Sequence, residues 1–356
     1  MMLEISQAFL YICLAILTGT FVLYSVPAQK RPEIVVPKKW LLISAVAIPI
    51  LSFVAVIEVI INLGARIGYL DATLLVLSST TVGLAWVMTL AFSIMLIILV
   101  ARGMFARFGL LIMVILMMTL AWGSHATSMN FTTGIISDFL HTIAMSVWVG
   151  TLFVVSFFAK NTANWLAFLK WFSIVAAASL FTIIISGLIL MGVLVPSYVT
   201  SWLTNYGQGL FLKHMFVVPI VLLAFANMII ARFMLKRDMP FNPLPWVRIE
   251  SSFLMIILII TAFFTQQQPP VHELTQSMVS PVFQWLHGGA AIDGDTVMNF
   301  AFSGVAVAFL SLATISLCIF LMSFLIRQIP AYVTFILGFI AAVSTYVFVM
   351  KSIVLL

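Results

Sequence analysis

Ten apolar runs, each long enough to cross a lipid bilayer, follow one another along the chain with mostly short polar stretches between them. They occupy residues 3–24, 40–63, 73–100, 107–123, 135–159, 169–194, 209–235, 248–266, 298–326 and 330–354. A spanning helix needs about 20 apolar residues to cross roughly 30 Å of hydrocarbon, where the backbone must satisfy its own hydrogen bonds. The fold expected is therefore all-α, a polytopic transmembrane bundle with a helix at each run. With 64% hydrophobic and only 7% charged residues, the 356-residue chain has too little polar surface to cover a core in water.

The net charge of +6 would suit nucleic acid, but the pattern of the charges excludes it. All of the 16 lysines and arginines except Arg66, Lys213 and Lys351 fall in alternate short loops that lie on one side of such a bundle. Basic loops stay in the cytoplasm, which puts both termini outside the cytoplasmic membrane. Acids lean the other way: Glu4, Glu58, Asp71, Asp138, Glu273, Asp293 and Asp295 belong to the outer half. The first run has no basic segment before it and reads as a first span, not as a cleaved signal. Cys13 and Cys318 lie inside spans without a CxxC spacing, so neither a disulfide framework nor a thiolate metal site is expected.

The chain divides into N-terminal transmembrane helices (1–119), a central set of helices (120–270), an extracytoplasmic loop (271–297) and two C-terminal helices (298–356). Pro269 and Pro270 end the eighth span, and the polar stretch 267–297 is long enough to form a lid. Within it, SPVFQWLHGG is expected to form a short amphipathic turn with Trp285 as an interfacial anchor. Its IDGDT sequence is too short for a calcium loop.

All five histidines, His125, His141, His214, His272 and His287, fall on the outer side in this topology. Asp138, His141 and Met145 form a stripe on the fifth span, within roughly 60° of one another around the helix, and Trp148 continues the same face. His125 and Met129 come from the preceding hairpin, with Met117 and Met118 below them on the fourth span. Imidazole with thioether suits copper, and thioether favours the cuprous over the cupric ion; calcium and magnesium want oxygen donors that are scarce here. Methionine also fills gaps in apolar helices, and Asp138 with His141 would equally make an internal polar pair. Ionisable groups buried in a bilayer are costly, which favours the functional reading.

On the seventh span His214 is a candidate sixth ligand. Its neighbour Lys213 reads as a snorkelling anchor or a gate. Glu58, near the outer end of the second span, ranks below the histidines.

The pattern resembles the CopD family, bacterial membrane copper proteins that include the YcnJ type. The resemblance covers about residues 120 to 270 and rests on His125-Ala126; Asp138, His141, Trp148 and Gly150; Ser186-Gly187; Tyr206-Gly207; Lys213, Asn227 and Arg232; Arg248 with Glu250; and Pro269-Pro270. Ser124 stands where the family tends to have glycine, and Asn227 is separated from Arg232 where the family often has an Asn-Arg pair. The resemblance implies copper movement across the cytoplasmic membrane. Since no copper-binding domain is fused to these helices, it also implies a separate extracytoplasmic CopC-type donor.

The expected function is copper import through an outer-face site of His125, Met129, Asp138, His141 and Met145, joined by His214, in a transporter and not an enzyme. The partners are the copper ion and the bilayer. No Walker motif or phosphorylatable-aspartate loop is visible in the sequence. The rivals are a haem- or quinone-linked redox protein using His141 and His214, a copper sensor or donor to an extracellular copper enzyme, and a purely structural subunit.

Overall fold

A computed structural model describes the chain except for residues 1, 104, 238, 240, 271–275, 290–297, 325, 327, 328 and 356 and the side chain of residue 277. The described residues are almost entirely helical and form two compact units, Met1–Leu194 and Val195–Leu356. Residues 271–275 and 290–297 of the 271–297 loop, with His272, lie outside the described residues.

The first unit holds α1 (Met2–Ser25), α2 (Lys38–Ile67), α3 (Tyr69–Ser79), α4 (Thr81–Arg102), α5 (Ala106–Trp122), α6 (His125–Met129), α7 (Phe131–Phe158) and α8 (Trp165–Leu194). The second holds α9 (Tyr198–Ser201), α10 (Asn205–Lys236), α11 (Leu244–Phe264), α12 (Pro281–Leu286), α13 (Gly304–Ser323) and α14 (Ala331–Ser352). Its two short strands, β1 (Met298–Phe300) and β2 (Ile353–Leu355), complete it. Among the described residues, 9 helices are long and apolar enough to cross a membrane. Helix α5, with 17 residues, is a shorter apolar helix at the position of the fourth run.

Two runs differ in detail from a single helix. Residues 73–100 are broken at Thr80, whose backbone is extended and whose Oγ1 accepts a hydrogen bond from Gly83 N at 3.1 Å, capping α4. Thr80 lies in the polar stretch Ser78-Ser79-Thr80-Thr81, a dip in hydropathy too short to divide the apolar run around it. Residues 298–300 do not extend α13; they pair antiparallel with 353–355, Asn299 opposite Val354. Backbone groups past a helix end need partners, and these two ends supply each other's.

Helix α7 is the axis of the first unit, packed against α1, α5, α6 and α8. The α1 contact depends on glycine at two places, since a Cβ at Gly19 would strike the Gly150 carbonyl and one at Gly150 would strike that of Ala15. Small residues let membrane helices approach backbone to backbone, where packing replaces the absent hydrophobic drive. The far end of α7 is held by the segment before α2: Val35 N donates to Phe158 O at 3.1 Å and Lys160 N to Glu33 O at 2.9 Å. Further polar ties are the Thr89–Thr119 hydroxyl pair at 2.8 Å and Trp86 Nε1 donating to Pro49 O at 2.8 Å.

The second unit centres on Trp202, Leu203, Phe211, Val279, Phe283, Leu286, Tyr346, Met350 and Ile353. Through this core runs a polar thread. Gln208 Nε2 donates to the Trp202 carbonyl and approaches Met350 Sδ at 3.1 Å, while the Tyr346 hydroxyl donates to Gln208 Oε1. The SPVFQWL segment forms the short helix α12, with Phe283 fully buried and Trp285 80% exposed, the two-faced character expected of it.

Candidate functional site

The start of α7 is assembled from short-range signals. Asn130 caps it, its Oδ1 accepting from Thr133 N at 3.1 Å. Helix α6 lies directly on α7 because Gly134 has no side chain; a Cβ there would meet the Ala126 carbonyl. The Thr127 hydroxyl donates to Ala121 O at 2.6 Å, locking α6 to the end of α5. Ser124 caps α6, its Oγ accepting from Thr127 N at 3.4 Å and lying 3.3 Å from Thr127 Oγ1.

Asp138, His141 and Met145 are half-buried along α7, and Trp148 below them is buried. The His141 ring is held from α8: Nδ1 lies 3.1 Å from Ser186 Oγ, and a Cβ on Gly187 would come within 3.3 Å of His141 Cε1. Gly187 thus leaves the space that the imidazole fills. His125 and Met129 are exposed on α6, Met117 is fully buried on α5, and its neighbour Met118 is exposed. Glu58 is exposed on α2.

Among the described residues no three His, Cys, Asp or Glu side chains form a group that could hold a metal ion. His125, Asp138 and His141 are accordingly spaced along α6 and the start of α7, not gathered around one point. The donors themselves, imidazole and thioether, suit a soft or borderline cation such as copper.

In the second unit, His214 Nδ1 lies 2.7 Å from the Tyr198 hydroxyl. Burial pushes the Tyr198 hydroxyl up to about 12, so at ordinary pH it is a neutral hydrogen-bonding group and not an anionic ligand. Lys213 Nζ lies 5.7 Å from the centre of the Phe264 ring, a cation–π distance. Glu250 is buried on α11 and accepts a hydrogen bond from Asn227 Nδ2 at 2.7 Å. The His287 ring stacks on Phe283 with 4.0 Å between centroids, and its Nδ1 donates to the Phe283 carbonyl at 2.9 Å, which marks it as part of the α12 cap.

Helices of this length and apolarity, threaded by sparse polar pairs, define a multi-pass membrane protein. Residues 166–264 match the family model of CopD, described as copper resistance protein D, which bears out the resemblance seen in the residue pattern. The matched segment runs from the first turn of α8 to the end of α11 and contains Ser186-Gly187, Lys213, Asn227 and Glu250, whereas α6 and α7 precede it. It identifies the chain as similar to a copper-handling membrane family. No curated protein and no solved structure matches the chain.

Residue types and spacing on one helix pointed to the stripe on α7, but not to the partners that hold it. Ser186 lies 45 residues from His141, and Tyr198 acts across the turn between two helices. Ser186-Gly187 carried a signal only through the family pattern.

Proposed function

We propose that this chain imports copper across the cytoplasmic membrane, with both termini on the outer side and the start of α7 as the entry. In this reading His125 and Met129 on α6 take the ion at the wet mouth. Asp138, His141 and Met145 then carry it about 10 Å along α7, from harder toward softer donors. His214, on α10, is a further candidate copper ligand. The order of donors favours the cuprous ion at the deeper end, and inward movement gains about 2.3 kcal/mol per charge per 100 mV of membrane potential. A separate CopC-type protein is the expected donor.

The observation that carries the reading is the contact between His141 and Ser186. It ties the helix bearing the candidate ligands to a residue inside the segment that matches the copper family. Copper accumulation by cells expressing the protein tests it. His141→Ala is expected to reduce uptake to the level of cells lacking the protein, with unchanged protein in the membrane. Undiminished uptake would remove the central ligand.

A further inference from the structure

Of the long apolar helices in the second unit, only α11 carries an acid. It is Glu250, about 9 Å from the start of the helix and 4% exposed. The amide of Asn227 on α10, a group without charge, donates to it, with Nδ2 2.7 Å from Oε2. Helix α11 packs on α10 and α14 and meets the end of α13 through Trp246 and Phe324. Arg248, two residues before Glu250, is exposed on the opposite side of α11. On α10, Arg232 stands about 7 Å beyond Asn227 along the helix with Lys236 exposed past it, and Lys213 and His214 lie about 20 Å the other way. On α14, Tyr332 is exposed, while Tyr346 and Lys351 bond with Gln208 and Leu286; α13 carries only Cys318, also exposed. Among the described residues none of these groups donates a hydrogen bond to Glu250.

A carboxylate buried in a bilayer beside one neutral donor is costly, and taking up a proton removes that cost. Asn227 serves both states, because its amide donates equally to a carboxylate oxygen or to the carbonyl oxygen of a carboxyl group. An amide and a carboxyl oxygen do not suit copper, so a proton is the cation that this pair can take. A structural pair would need no acid here, since glutamine has the same shape and would accept the same hydrogen bond. We infer that Glu250 is a proton-exchange site, which takes one proton from water at the near end of α11 and gives it back to water in each transport cycle. In the proposed topology that end is cytoplasmic. The role in transport rests on the copper reading, but the exchange of the proton can be measured without copper.

The first arm of the test is infrared spectroscopy of the metal-free protein in lipid, across a range of pH and in deuterium oxide. The wild type is expected to show a carboxyl C=O band that grows as the pH falls, shifts in deuterium oxide, and is missing from Glu250→Gln. Asn227→Leu should move its frequency, since the band reports the hydrogen bond. Identical spectra of wild type and Glu250→Gln at every pH would overturn the inference. The second arm is cuprous-ion uptake into liposomes holding each protein, at a fixed membrane potential and with the pH equal on both sides. Wild-type uptake is expected to follow a single-proton curve, Glu250→Gln to lose that dependence, and Glu250→Asp, which keeps an acid, to retain it. The same pH profile in Glu250→Gln as in wild type, or a flat profile in Glu250→Asp, would refute the role in transport. A titrating Glu250 band in a protein that takes up no copper would reject the proposed function and leave the proton site standing.

Discussion

Gly19 on α1 and Gly150 on α7 meet backbone to backbone, with no room for a side chain on either. Gly150 is two residues beyond Trp148 on the helix that carries Asp138, His141 and Met145. The closeness of α1 to α7 thus sets how firmly the candidate ligands are held.

A methyl group at Gly150 should therefore cost more than its size suggests. Gly150→Ala would place a Cβ against the Ala15 carbonyl, and overpacking of this kind costs about 1–3 kcal/mol. Gly192→Ala is the control, because nothing lies within 4 Å of a Cβ at that position. Thermal unfolding in detergent should show a lower midpoint for the first variant and none for the second.

Ser124→Ala removes the cap of α6, a loss of about 0.5–2 kcal/mol where such caps have been replaced. Hydrogen exchange at the Thr127 amide should quicken while exchange in the middle of α7 stays slow. Equal protection at Thr127 in the variant would show that the cap contributes nothing.

In the second unit the thread through Gln208 gives a double-mutant prediction. Gln208→Leu leaves the Tyr346 hydroxyl and the Trp202 carbonyl without this partner in a buried core, at a cost of about 1–3 kcal/mol. Tyr346→Phe made in the Gln208→Leu background should cost less than Tyr346→Phe alone. Additive losses would mean that the two side chains do not act together.

Asn227 and Glu250 form the corresponding pair between α10 and α11. Asn227→Leu should destabilise the protein more than Glu250→Gln, since the first deprives a buried carboxylate of a donor and the second replaces it with a group that carries no charge. Unfolding midpoints of the two variants provide the comparison, and equal losses would contradict it.

The spanning helices were legible because apolar length alone dictates a helix in a bilayer. The α7 stripe was legible because Asp138, His141 and Met145 recur at helical spacing. Thr80 and the strand at 298–300 were not, since the polar stretch Ser78-Ser79-Thr80-Thr81 is too short to interrupt an apolar run and residues 298–300 lie at the edge of the run that forms α13. Ser186 was visible only as part of a family pattern: a serine in a membrane helix ordinarily bonds its own preceding turn, as Ser186 does with Thr182, and its second contact depends on how α7 and α8 pack. His214 has its own partner in Tyr198, sixteen residues earlier, which no helical periodicity links to it.

The most direct test of the copper reading is metal content. Mass spectrometry and an optical spectrum should be recorded on wild-type protein and on the His125→Ala, His141→Ala double variant, both purified after growth with copper. The account predicts stoichiometric copper and no strong Soret band in the wild type, and loss of the copper in the variant. Copper absent from both proteins, or equal in both, would contradict it and return these histidines to the role of structural polar groups.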